Sequence, residues 1–101
     1  MTIGTTPTIT LNLDSINLTE LKSIYITFRQ SDCLITKNNE DEGVIVSEHT
    51  VTVTLSQEET LKLTPGIVEM QLKGLAKDGT VFATNIRRID VNEALLKEVI
   101  T

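Results

Sequence analysis

Thr50-Val51-Thr52-Val53-Thr54-Leu55-Ser56-Gln57-Glu58-Glu59-Thr60-Leu61-Lys62-Leu63-Thr64-Pro65-Gly66-Ile67-Val68 is the stretch that decides the fold. Its first six residues alternate threonine with aliphatic side chains, which puts Val51, Val53 and Leu55 on one face of a strand and the threonines on the other. Ser56 and Glu59 then have capping-box spacing: the hydroxyl and the carboxylate can each bond the other residue's backbone N–H and start a short helical turn. Thr64-Pro65-Gly66 ends that turn, since proline presets φ and glycine supplies the positive φ of a type II turn. A strand that passes to the next through one capped turn predicts the corner of a β-sandwich.

Working outward, the same period of two recurs. Ile9, Leu11 and Leu13 alternate with polar residues after Pro7. Asn17 and Glu20 repeat the capping spacing. Beyond them Ile24, Ile26 and Phe28 point inward, with Tyr25, Thr27 and Arg29 outward. Gln30-Ser31-Asp32 predicts a hairpin loop into Cys33–Lys37, Asn38 to Glu42 a polar acidic loop closed by Gly43, and Val44-Ile45-Val46 a short strand. Val68, Met70 and Leu72 alternate with Glu69, Gln71 and Lys73, and Asp78-Gly79 predicts a type I′ hairpin. Phe82 and Ile86 share one parity while Val81, Ala83, Ile89 and Val91 share the other, so a bulge is expected near Arg87-Arg88.

The expected fold is therefore all-β: an immunoglobulin-like β-sandwich of about seven strands with short helical corner turns and a short C-terminal helix. Residues 1–6 read as a flexible N-terminus, 7–91 as the sandwich and 92–101 as a C-terminal helix or docking tail. The segments Asn17–Arg29 and Ser56–Lys73 echo one another, each with a capped turn, a Leu-Lys pair and an alternating strand, which sandwich geometry explains without a duplication.

Composition narrows the function. A formal charge of −5 repels phosphate backbones and anionic membrane faces, and Tyr25, Phe28 and Phe82 are too few aromatics for a base-stacking platform. Neither nucleic acid nor membrane is an expected partner. The single cysteine, Cys33, excludes an intrachain disulfide and reads as a small buried or edge residue. The opening residues lack the basic start and apolar run of a signal peptide, so synthesis in a reducing host cytoplasm is expected, with any export as part of an assembled particle.

No catalytic, cofactor-binding or metal site is predicted. His49 is the only histidine and has no second histidine or cysteine beside it to share a metal; it reads as a loop residue. The acidic loop Asn39-Glu40-Asp41-Glu42-Gly43 lacks the spaced ligands of a calcium loop, and the sequon Asn17-Leu18-Thr19 stands without a secretory context. One histidine and one cysteine in separate contexts supply no nucleophile–base pair, which argues against an enzyme. The candidate partner-binding residues are the pair Arg87 and Arg88 and the apolar side chains Leu95, Leu96, Val99 and Ile100. Segment 92–101 can serve as a lid over an open sandwich edge or as a docking element, and both readings stand at this point.

The motifs Ile9-Thr10-Leu11-Asn12-Leu13-Asp14, Asn17-Leu18-Thr19, Ile24–Gln30, Val51–Leu61 and Gly66–Leu75 with Asp78-Gly79-Thr80 together resemble small structural proteins of Firmicutes phages and prophages. These in turn are similar to the N-terminal immunoglobulin-like domain of phage upper baseplate proteins. The resemblance covers nearly the whole chain and its motifs are structural. It implies a non-enzymatic virion or assembly component of baseplate, tail or head, bound to other phage structural proteins or to itself as a homo-oligomer. A downstream shaft or receptor-binding module of the kind the baseplate proteins carry is not expected here, a departure from their pattern. The rival reading is a bacterial β-sandwich interaction module outside any particle.

Overall fold

In the computed structural model, which describes residues 1–101, the alternating segments form eight strands in two antiparallel sheets. β1 (Thr8–Asn12), β5 (Thr50–Thr54) and β4 (Val44–Val46) make a three-stranded sheet in the order β1-β5-β4. β3 (Cys33–Asn38), β2 (Leu21–Gln30), β6 (Gly66–Ala76), β7 (Val81–Ala83) and β8 (Arg87–Val91) make the larger sheet. β2 and β6 are its centre, and β7 and β8 share the far edge of β6. The two sheets close on one core, a β-sandwich-like arrangement with little helix. No helix is long and apolar enough to cross a membrane.

The inward residues follow from the alternation. Ile24, Ile26, Phe28, Val51, Val53, Leu55, Val68, Met70 and Leu72 are all buried, as expected. Ile9 and Leu11 are only half-buried, because β1 is an edge strand with nothing beyond it in its sheet. Leu18, Ile35, Val44, Leu63 and Val91 complete the core together with Ile3.

Two of the three crossings between the sheets, β1 to β2 and β5 to β6, use short capped turns; the third, β3 to β4, runs through the acidic loop. Asn17 caps the 3-10 turn Leu18–Glu20, its side-chain oxygen accepting from the Thr19 amide, and β2 follows at once. Ser56 caps the helix α1 (Gln57–Leu61), and both halves of the box form: Glu59 N–H to Ser56 Oγ at 3.1 Å and Ser56 N–H to Glu59 Oε1 at 2.9 Å. The echo between the two segments therefore has a geometric basis: β1 pairs β5 in one sheet, β2 pairs β6 in the other, and a capped turn leads from β1 to β2 and from β5 to β6.

Several expectations need correction. Segment 92–101 contains no helix. Asn92, its natural N-cap, gives its carbonyl to Ile3 N–H (3.1 Å) and its N–H to Met1 O (2.7 Å), so the oxygen that would accept the first helical bond is taken. The same contacts fix the first residues: Thr2 and Asn92 form a parallel bridge and Ile3 is buried, so residues 1–6 are not a loose leader. The parity change in the last strand occurs at Thr84-Asn85-Ile86, where the chain breaks into β7 and β8, and not as a bulge at Arg87-Arg88. Thr84 spans the gap, its N–H reaching Leu72 O at 2.9 Å and its hydroxyl accepting from Leu72 N–H at 3.1 Å. The hairpin at Asp78-Gly79 is not type I′, because Asp78 has no positive φ while Gly79 takes +94°. Gly79 N–H bonds Ala76 O and Ala76 N–H bonds Thr80 O, which makes a three-residue loop with a glycine bulge.

Candidate partner-contact surfaces

The apolar side chains singled out at the C-terminal end are on the surface. Leu95 is fully exposed, and Leu96, Val99 and Ile100 are 57%, 40% and 64% exposed. Their backbone is held to the domain at one place: Gln57, the first residue of α1, donates Nε2–H to Ile100 O and accepts Ile100 N–H at its Oε1, both at 2.9 Å. That side-chain amide pairs with the backbone as a neighbouring strand would. A side chain at Gly4 would lie 3.3 Å from Leu61 and 3.9 Å from Leu96 O, so the segment runs back past Gly4 and alongside α1. Only Ala94 packs against the core. The segment is thus tethered without burying its large apolar groups.

Arg87 and Arg88 are separated by the pleat. Arg87 pairs in register with inward-facing Met70, whereas Arg88 pairs with Glu69 on the outward face. Arg88 and Arg29 flank Glu69 there: Arg29 donates Nη2–H at 2.7 Å and Nε–H at 3.3 Å to Glu69 Oε1, and Arg88 Nη2 lies 3.8 Å from Oε2. The Arg29 hydrogen bonds and charge, aided by Arg88, hold the Glu69 carboxyl below its ordinary value. This ion pair is open to solvent and contributes little to stability.

The outward face of the larger sheet was not predicted as a surface of interest, although Tyr25, Thr27 and Arg29 read as outward residues. It carries exposed Tyr25, Leu34, Ile67 and Ile86. A groove of about 130 Å³ opens there between Leu34 and Ile86, with Thr27, Gln71 and the Arg29–Glu69 pair in its walls. A second, open cleft of about 320 Å³ lies where the 3-10 turn meets β4, lined by Leu18, Thr19, Leu21, Ile24, Asn39 and Val46, with no ionisable group.

Lys37, Glu59, His49 and the acidic loop have structural partners. Lys37 points inward from the edge strand β3 and reaches Glu59 Oε1 and Oε2 at 3.0 and 3.1 Å, with both side chains mostly shielded. An inward charge on an edge strand discourages a further strand from adding there. Burial on its own would raise the Glu59 pKa, but the Ser56 N–H and the Lys37 ammonium outweigh it and the net shift is downward. His49 Nδ1 lies 2.8 Å from Ile16 O; a carbonyl only accepts, so this nitrogen carries the proton. In the acidic loop Asp41 accepts the Asn38 N–H at 2.7 Å and Asn38 accepts the Glu40 N–H at 2.8 Å, the bonding of a self-closed turn. Cys33 sits half-buried at the start of β3. No three His, Cys, Asp or Glu side chains lie close enough to share a metal ion.

Comparison with protein-family models, with curated proteins and with solved structures gives no match for the chain.

Proposed function

We propose that the chain is a non-enzymatic structural protein that works by protein–protein contact, as a virion or assembly component of a phage or prophage. The observation that carries the contact reading is segment 92–101, which is tied down through the Gln57 side chain yet leaves Leu95, Leu96, Val99 and Ile100 in solvent. Apolar groups gathered on one short segment gain by burial against a partner, about 1.5–3 kcal/mol for each large aliphatic side chain before ordering costs. The phage assignment draws on the sequence motifs resembling baseplate-type domains. An immunoglobulin-like arrangement is supported by the order β1-β5-β4 facing β3-β2-β6 with β7 and β8, and by the three crossings between the sheets, β1 to β2, β3 to β4 and β5 to β6. On this reading the protein is made in the host cytoplasm and resides in the particle.

The test is removal of residues 92–101 by truncation after Val91. Sedimentation and pull-down with purified products of the neighbouring genes should show that association is lost while the sandwich stays folded. Capsid, portal or tail genes on either side would favour the particle over a bacterial interaction module. A truncated domain that is less stable but associates like the full chain makes the segment a lid and defeats the contact reading.

A further inference from the structure

Across the outward face of the larger sheet, Leu34, Arg29, Glu69 and Arg88 stand side by side in register on β3, β2, β6 and β8. Leu34 is 65% exposed, and Ile86 borders the same groove. The face carries three cations, Arg29, Lys73 and Arg88, against two carboxylates, Glu69 and Asp90, in a chain whose formal charge is −5. It is therefore a locally cationic, partly apolar surface on an acidic molecule. Segment 92–101 has the complementary character: four exposed aliphatic side chains, with Glu93 and Glu98 against Lys97. Within one molecule the segment lies along α1, held by Gln57, and leaves this face uncovered.

We propose that the outward face of the larger sheet, centred on Leu34, Arg29, Arg88 and Ile86, seats segment 92–101 of a second copy of this chain. The proposal rests on the reading of that segment as a contact element and names its partner. Burial of leucine and isoleucine side chains beside Leu34 and Ile86 supplies the attraction, and the opposite local charges orient the approach. Face and segment are different patches, so the contact is head-to-tail. A joined pair then keeps one free face on one copy and one free segment on the other, and the contact propagates into a ring or an open filament.

The experiment uses two full-length variants altered only at exposed positions: Leu95→Asp with Leu96→Asp, which disables the segment, and Leu34→Lys with Ile86→Lys, which disables the face. Thermal melts of both should match the parent. In sedimentation velocity the parent should show a concentration-dependent rise in sedimentation coefficient, each variant alone should lose that rise, and an equimolar mixture of the two should give a one-to-one dimer and nothing larger. A parent that stays monomeric throughout, a face variant that assembles like the parent, or a mixture that fails to dimerise would each overturn the proposal. If the parent is monomeric while its segment binds a purified particle protein, self-docking fails and the contact function stands.

Discussion

α1 and segment 92–101 both carry helical signals in the sequence, and only the shorter one is a helix. α1 has five residues, well below the length at which an isolated helix is stable, yet it forms because its first turn is closed by the Ser56–Glu59 box, Thr60 and Leu63 are buried beneath it, and Lys37 pins Glu59 from β3. Segment 92–101 has ten residues and a favourable apolar spacing, but its cap is engaged elsewhere and its large apolar side chains stay out of the core. Nucleation is the costly step, and neighbours supplied it in one case only.

The comparison can be broken most severely at Leu63, which is 3% exposed directly after α1. Leu63→Ala should destabilise the domain by about 2–5 kcal/mol through lost transfer energy and a cavity, whereas Leu95→Ala should leave chemical denaturation unchanged. A smaller effect is expected at Glu59. Glu59→Gln keeps an acceptor for Ser56 N–H but removes the charge facing Lys37, for a loss of about 1–2 kcal/mol at neutral pH. Because the folded-state pKa of Glu59 lies below its ordinary value of 4.5, its ionised form stabilises the fold fully above that pH. The contribution fades as pH falls through the lowered folded value, so thermal melts of parent and variant should converge in acid. Parallel curves from neutral pH to well below 4.5 would remove Glu59 from the account of α1. The smallest effect belongs to Gln57→Ala, which should cost at most about 1 kcal/mol, since both bonds are exposed, while amide exchange at Ile100 accelerates.

What was legible in the sequence was whatever depends on near neighbours. The alternation placed the inward residues of β2, β5 and β6, and the Ser-x-x-Glu spacing placed α1. The helical reading of 92–101 failed because a contact with Ile3, about ninety residues away in the chain, decided it. The break at Thr84 was displaced by three residues in the reading because parity reveals that a strand changes face without revealing where. Arg87 and Arg88 looked like one basic site, although adjacent strand residues point to opposite sides. The outward groove was missed for a related reason: Leu34, Arg29, Glu69 and Ile86 come from four separate segments, and only strand pairing brings them together.

The pairing of residues 1–3 with Asp90 and Asn92 also determines how the domain answers force. Met1 donates to Asp90 O at 2.6 Å, Asn92 to Met1 O at 2.7 Å and Ile3 to Asn92 O at 3.1 Å, and the two segments run parallel. Tension applied between residue 1 and the segment after Asn92 draws the strands past one another along their length. The three bonds are then loaded in shear and must yield together, where an antiparallel pair pulled from the same end would open one bond at a time. The join between the first and last residues of the sandwich is a mechanical clasp, set at the point where a pull from a neighbouring molecule on segment 92–101 would arrive.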